Sequence, residues 1–289
     1  MMTVFFQQIL NGVILGSLYM LVALGLSLIF GILEVVNFAH GEFYMVAAFL
    51  TLFIMVKLGA PFLVAMLAAM VVMAVFGVIV ERVVFRPIVG KPMINGMLVS
   101  FGLSIFLMNL ALLLFKADPR KIDSGLAHLT ITFLGLRVTA ERLLALILGV
   151  FLVALLSHFI QNTRTGKAMR AVAQDRIAAQ LAGVNVFRIY AITFAVGSVL
   201  ASAAGAMVGA IFLVAPDMGW TVVLKSFIVV ILGGFGSIKG VVFASLIIGL
   251  VESLGGGYIS YAYKDAYPFL LLVLAFLLRP EGLMGGSKS

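Results

Sequence analysis

Residues 163–186 read TRTGKAMRAVAQDRIAAQLAGVNV, and they are unlike everything around them. Arg164, Lys167, Arg170 and Arg176 fall in the stretch, with Asp175 as its sole acid. The flanks, Leu143–Ile160 and Phe187–Val214, are apolar runs. A membrane span takes about 20 such residues. A polar, basic, helix-forming segment therefore stands between two spans and marks one side of a bilayer.

The composition agrees. Hydrophobic residues make up 64% of the chain and charged ones 10%, against about a quarter charged in soluble domains. No soluble interior holds that much apolar surface, so lipid is the solvent. Further apolar runs are Phe5–Ile32, Phe43–Val56, Pro61–Val80, Met93–Phe115, Trp220–Leu232, Val241–Leu250 and Tyr267–Leu278. Phe43–Val56, Trp220–Leu232 and Val241–Leu250 are short and end at polar or glycine-rich breaks. The expectation is an all-α polytopic membrane protein, one domain over 1–289, with about nine transmembrane segments (eight to ten), some short or broken. No Lys or Arg precedes Lys57. The first run thus lacks the basic n-region of a signal peptide and is expected to stay as a membrane helix.

Loop charge sets the orientation. Arg82, Arg86, Lys91, the 164–188 stretch, Lys239, Arg279 and Lys288 go to the cytoplasmic side. Lys116, Arg120, Lys121, Arg137 and Arg142, interleaved with Asp118, Asp123 and Glu141, go outside. The C-terminus is then inside and, with nine crossings, the N-terminus outside. Within the outer loop 116–139, Leu129, Ile131 and Phe133 alternate with Thr130 and Thr132 before Gly135. That period of two reads as a small β-hairpin, either a cover over helix ends or a seat for an external partner. The net charge of +8 belongs to inner loops facing anionic headgroups, and nucleic acid is not an expected partner. Cys is absent, which excludes disulfides and thiol chemistry. Gly205/Gly209 and Gly236/Gly240 make GxxxG spacings, read as close helix packing or a sliding interface.

Three motifs stand out. In 164–186, Thr165-Gly166 opens a helix and Gly183 closes it. Met169, Val172, Ala173, Ile177, Leu181 and Val184 recur at helical steps as one apolar stripe. Such a helix either lies on the membrane or docks into a protein groove; its alanines and lack of an aromatic anchor suit docking. The second motif, Glu34-Val-Val-Asn37-Phe-Ala-His40-Gly41-Glu42, interrupts two apolar runs with ionisable groups. Ionisable groups at the membrane core cost at least about 2.5–3.5 kcal/mol each in lipid. They therefore face protein, water or the interface, and the segment is either a structural break, with Asn37 and Gly41 satisfying and bending backbone, or part of a solute path with Asn37, His40 and Glu42 as its candidates. One His with two Glu is a poor metal site, and no metal is expected.

The third motif is Gly233-Gly234-Phe-Gly236-Ser237-Ile-Lys-Gly240. The phosphate-binding pattern GxxxxGK[ST] is absent from the chain, so ATP hydrolysis is not assigned to it. The loop reads as a break between two half-length helices, a pointer to a transporter core. Gly234, Gly236 and Ser237 join the path candidates, and the Asn37–Glu42 break is the counterpart in a weak internal repeat. Lys225 is a lone charge expected to snorkel from the outer end of its run, and Glu252 one expected at the outer interface. A direct transport role is the other reading of both. No His accompanies Gly197-Ser198 or Gly236-Ser237 in a hydrolase pattern, so no catalytic residue is assigned.

Four segments carry a family resemblance. They are Asn37–Met45 (NFAHGEFYM), Gly166–Ala171 (GKAMRA) continuing through Asp175 and Ala179 to Leu181–Val184 (LAGV), Leu232–Gly240 (LGGFGSIKG), and Leu278–Leu283 (LRPEGL). Over essentially its whole length the chain resembles the membrane-spanning permease subunit of bacterial high-affinity branched-chain amino acid ABC transporters. Lys239 departs from the expected pattern. Urea or amide permeases are close relatives of that family and sugar permeases distant ones. The resemblance implies an inverted-repeat-like type II ABC importer core in the bacterial inner membrane. It implies a homologous second permease subunit, most simply in a heterodimer. It also implies two cytoplasmic ATP-binding subunits, which carry the ATP and Mg, and an external substrate-binding protein. It makes 164–186 the cytoplasmic coupling segment, with Gly166, Arg170, Ala171, Asp175, Ala179 and Gly183 at the matching positions. A carrier driven by an ion gradient is the competing function at this point, given Glu34, His40 and Glu42.

Overall fold

A computed structural model describes residues 2–133 and 135–278. Residues 279–283 of the tail motif, with Arg279 and Lys288, lie outside the described residues. Eleven α-helices follow in order: α1 (Met2–Leu33), α2 (His40–Leu58), α3 (Phe62–Val80), α4 (Met93–Phe115), α5 (Ala140–Asn162), α6 (Arg164–Gln174), α7 (Arg176–Leu181), α8 (Val186–Ile211), α9 (Met218–Gly233), α10 (Ile238–Tyr258) and α11 (Ala266–Leu278). Among the described residues α1, α2, α3 with its extension to Ile88, α4, α5, α8 and α10 are long and apolar enough to cross a membrane. The helices α9 and α11 are shorter apolar ones.

Two of these lengths correct the sequence expectation. The run Val241–Leu250 looked short because Glu252 and Gly255-Gly256-Gly257 follow it. They lie within α10, which runs 21 residues. Glu252 is neutralised by Lys225 at 2.7 Å, and Gly255 is where the Tyr267 ring packs. The break after Ile32 is also displaced. It covers Glu34–Ala39, and His40 to Glu42 already belong to α2.

α1 is the hub. It packs against α10, α8, α9 and α5, and its middle is buried almost without interruption from Leu18 to Ile29. Backbones meet closely where it crosses α10: Gly12 and Gly16 lie against Gly249, Leu250 and Ser245. In lipid, apolar side chains gain little by leaving the solvent, so close small-residue contact does the binding. Gly205 on α8 likewise abuts the Tyr44 carbonyl of α2. Gly240 on α10 meets the Gly233 carbonyl at the end of α9 in the same way, but two GxxxG positions behave differently. Gly209 faces Ile122 and Val214 of the loops, and Gly236 sits in a turn at φ 76°. By contrast, α3, α4 and α5 expose Leu67, Val71, Val75, Leu98, Phe106, Val150 and Phe151, the surface lipid would cover.

The two ends of the bundle differ. At one end β1 (Thr130–Phe133) pairs antiparallel with β2 (Leu136–Thr139). The side-chain amide of Gln7 clamps this hairpin, donating to the Arg137 carbonyl and accepting from its N–H, both at 3.0 Å. Arg120 and Val214 exchange backbone bonds at 2.9 and 2.7 Å nearby. At the other end lie the termini of α1, α3 and α5, the starts of α8 and α10, and all of α6 and α7. Gly236 N–H there donates to Ser27 Oγ at 3.0 Å.

Candidate functional site

The basic stretch 163–186 folds as two helices, not one. Thr163 caps the first, its Oγ1 accepting from Gly166 N–H at 2.9 Å. Gly166 presses against the last carbonyls of α5, and a Cβ there would collide with the Phe159 and Ile160 oxygens. Gly166, Met169 and Val172 face the bundle and are buried. Arg170 Nη1 donates to the Ile160 carbonyl, a cation on the negative end of α5. Asp175 then breaks the helix. Its backbone is extended at φ −154°, ψ 108°, and its carboxylate accepts from Ile177 N–H at 2.8 Å and Ala178 N–H at 2.9 Å. It thus ends α6 and caps α7.

The six-residue α7 ends on Gly183 at φ 85°. Val184 N–H reaches the Ala179 carbonyl and Gly183 N–H the Gln180 carbonyl, both at 3.0 Å. This is the Schellman closure that favours glycine. Because the helix breaks, the apolar stripe splits, which corrects the single face read from the sequence. Met169, Val172 and Ala179 are buried, whereas Ile177 is 67% and Leu181 85% exposed. An i, i+4 apolar pair therefore projects from a charged surface. Ala171 is partly buried beside it, and Arg170, Asp175 and Gly183 are exposed.

The interruption between α1 and α2 turns inward. Glu34 takes a left-handed φ of 57° while its N–H still bonds the Phe30 carbonyl at 2.9 Å. Asn37, His40 and Glu42 are all buried. His40 lies against Gly25 of α1, and Gly41 against the Gly219 carbonyl of α9. Glu42 Oε1 accepts from Ser104 Oγ at 3.1 Å, and the Val36 carbonyl from Ser100 Oγ at 3.2 Å. Both Asn37 amide atoms, both His40 ring nitrogens and Glu42 Oε2 lack a hydrogen-bond partner among the described residues, as do Ser198, Ser202 and Ser226 Oγ.

The glycine turn does not join this interior group. Gly234 (φ 87°) and Gly236 (φ 76°) reverse the chain, Ser237 Oγ accepts from Gly240 N–H at 3.1 Å, and the Phe235 ring lies tilted against Phe30 with centroids 4.2 Å apart. The turn lies on the end of α1, at Ser27 and Gly31, while His40 lies against Gly25 and Glu42 against Gly219 of α9 and Ser104 of α4. Among the described residues no three His, Asp or Glu come together as a metal site.

Lys225 does not snorkel as the sequence expectation has it; it and Glu252 are buried against each other within the bundle. Lys225 Nζ donates to Glu252 Oε1 at 2.7 Å, to Asp265 Oδ1 at 2.6 Å and to Tyr19 Oη at 3.0 Å. Tyr19 Oη in turn donates to Glu252 Oε2 at 2.9 Å. Sequence reasoning found two of the four residues as isolated charges and missed Tyr19 and Asp265. The signal was charge balance: a lone Lys and a lone Glu in neighbouring spans need each other.

Comparison with known proteins fits these features. The family described as "Branched-chain amino acid transport system / permease component" matches residues 8–276. The high-affinity branched-chain amino acid transport system permease protein LivH of Escherichia coli (strain K12) is 34% identical over 296 residues, spanning 97% of this chain and 96% of its own. BraD of Pseudomonas aeruginosa, of the same description, is 33% identical over 294 residues with the same shares. LivM of E. coli K12 is 28% identical over 159 residues, spanning 53% of this chain and 37% of its own. With a full-length family match laid over a helical membrane bundle, the chain belongs to the permease family of branched-chain amino acid ABC transporters.

Proposed function

We propose that this chain is a translocation subunit that imports branched-chain amino acids across a bacterial inner membrane, driven by ATP hydrolysed on other chains. The observation that carries the reading is the exposed Ile177/Leu181 pair on α7. Two large apolar side chains on a charged, solvent-facing segment are suited to a protein groove. The segment is also mechanically tied to the bundle through Gly166, Met169 and Arg170. A push on α7 would therefore reach α5, α1 and α8. In this reading Gly166, Arg170, Ala171, Asp175, Ala179 and Gly183 form the coupling element, and two ATP-binding subunits with ATP and Mg sit beneath it. A homologous permease subunit completes the pathway, in keeping with the partial similarity to LivM. An external binding protein delivers substrate at the hairpin end.

Alternating access follows as rigid-body tilting of helix groups. The orphaned polar atoms of Asn37, His40 and Glu42 support a place for that break beside the pathway. Each buried unsatisfied group costs about 1–3 kcal/mol, relieved whenever the break meets water or solute. Gly234, Gly236 and Ser237 serve as the turn on which α9 and α10 move.

The competing reading is an ion-driven carrier, and the buried Lys225–Glu252 pair is what favours it. Uptake of labelled leucine and urea by the complete reconstituted assembly separates the possibilities. ATP-dependent leucine accumulation that survives a protonophore is expected. Accumulation without ATP, or of urea in preference to leucine, would overturn the proposal. The double variant Ile177→Asp/Leu181→Asp should insert normally yet release the ATPase subunits on purification. Retention of stoichiometric ATPase would remove the coupling role of α7.

A further inference from the structure

A cavity of about 590 Å³ lies at the hairpin end, among the starts of α1 and α5 and the ends of α8 and α10. Small-molecule sites typically occupy about 300–1,000 Å³. One part of its lining is apolar, including Ile14, Leu15, Leu18, Val22, Ile211 and Val222. Another part holds Lys225, Glu252 and Asp265, and Arg142 lines it as well.

The charges exceed what packing requires. Neutralising a buried ammonium takes one carboxylate, yet Lys225 meets two. Its three protons are all engaged, and both oxygens of Glu252 are engaged by Lys225 and Tyr19. Asp265 is different. It gives one oxygen to Lys225, and its side chain remains 54% exposed. The Lys225–Glu252–Asp265 trio holds two carboxylates to one ammonium, and Asp265 is its member that reaches the cavity with an oxygen to spare. Arg142 and Lys264, which also line the cavity, supply the opposite sign. Arg142 Nη1 donates to Asn11 Oδ1 at 3.0 Å, and a guanidinium has five N–H donors in all. A carboxylate, a guanidinium and an apolar wall around one cavity match an amino acid with an apolar side chain.

We infer that this cavity is a subsite for the zwitterionic head of such an amino acid. Asp265, held by Lys225, receives the ammonium; Arg142 receives the carboxylate; the α1–α8 wall receives the side chain. The inference rests on the import reading above and adds where and how the solute is met. The Lys225–Glu252–Tyr19 set positions Asp265 and is not itself a contact.

The test uses the intact permease–ATPase assembly without its binding protein, nucleotide-free, with labelled leucine in a scintillation-proximity assay. Competitors are leucine, leucinamide, which lacks the carboxylate, and 4-methylpentanoate, which lacks the ammonium. The wild type should favour leucine over each analogue by about tenfold or more. Asp265→Asn should abolish discrimination against 4-methylpentanoate and leave that against leucinamide. Arg142→Gln should do the reverse. Both residues are more exposed than Lys225. Should either variant fail to assemble, the wild-type ranking alone decides: equal binding of all three compounds overturns the inference. Unchanged discrimination in both variants overturns it too. So does Asp265→Asn raising basal ATP hydrolysis with leucine binding unaltered, which would mark the trio as a latch. Failure of the complete wild-type assembly to take up leucine would overturn the import reading; uptake without binding here overturns only the subsite.

Discussion

The two interruptions that flank α1 solve one problem in opposite ways. Between α9 and α10, the turn stays at the end of the bundle and is satisfied locally. Its glycines supply positive φ, Ser237 caps α10, and Ser27 holds Gly236. Between α1 and α2, the chain dips into the bundle and carries Asn37, His40 and Glu42 with it. Several of their polar atoms find no partner among the described residues. The sequence pattern pairs these segments as counterparts, yet only the second keeps a burden of unsatisfied polarity. A turn needs only backbone freedom; a polar break kept in the core costs stability, in keeping with the pathway place proposed for it.

Substitutions can break or sharpen this contrast. The largest effects belong to the backbone contacts both interruptions share. Gly41→Val would drive a side chain into the Gly219 carbonyl, and Gly240→Val into the Gly233 carbonyl. Overpacking costs about 1–3 kcal/mol and more where backbone cannot yield. Both variants should lose their cooperative thermal transition in detergent. A wild-type midpoint for Gly41→Val would mean that α2 and α9 do not meet as described.

The next effect separates the two segments. Asn37→Leu should raise stability by about 1–3 kcal/mol by removing an unpaired buried amide, while leucine uptake falls. Ser237→Ala should lower stability by about 1 kcal/mol through loss of a cap, with uptake retained. Measuring midpoint and uptake for both decides: if Asn37→Leu transports normally, the break is packing and the contrast collapses. Asp175→Ala belongs with the caps. It should cost about 1 kcal/mol and loosen the link between ATP hydrolysis and uptake, read as the ratio of the two rates. The smallest effect is expected at Glu34. A left-handed non-glycine residue costs about 1–2 kcal/mol, and glycine returns about 0.5–1 kcal/mol of that as entropy. Glu34→Gly should therefore raise the thermal midpoint slightly, and a fall would assign the Glu34 side chain a contact of its own.

Much of the architecture was legible because lipid imposes a simple rule of length and apolarity. The spans of α1, α3, α4, α5 and α8 follow from it almost residue by residue. The rule misled where a charge lay within a span. Glu252 ended the apparent run of α10 early, because its partner Lys225 is 27 residues away on another helix, and local patterns do not encode such pairs. The 163–186 segment stood out by its polarity. Its division at Asp175 did not, since a capping Asp inside a helical pattern resembles any surface acid. Tyr19 and Asp265 were hidden for a related reason: one sits in an apolar run and the other in a loop, and only packing brings them to Lys225.

The hub position of α1 has a consequence for biogenesis. Its glycine face at Gly12 and Gly16 is matched by Gly249 on α10, a helix that begins at Ile238. At about 5–20 residues per second, α1 leaves the ribosome roughly 10–40 s before α10 emerges. Until then the Gly12/Gly16 face lacks the helix it packs on, although α5, α8 and α9 arrive in the meantime. α1 therefore acquires its principal neighbour only after α2 to α9 have been made, and the interval before that is when misassembly or proteolysis can compete.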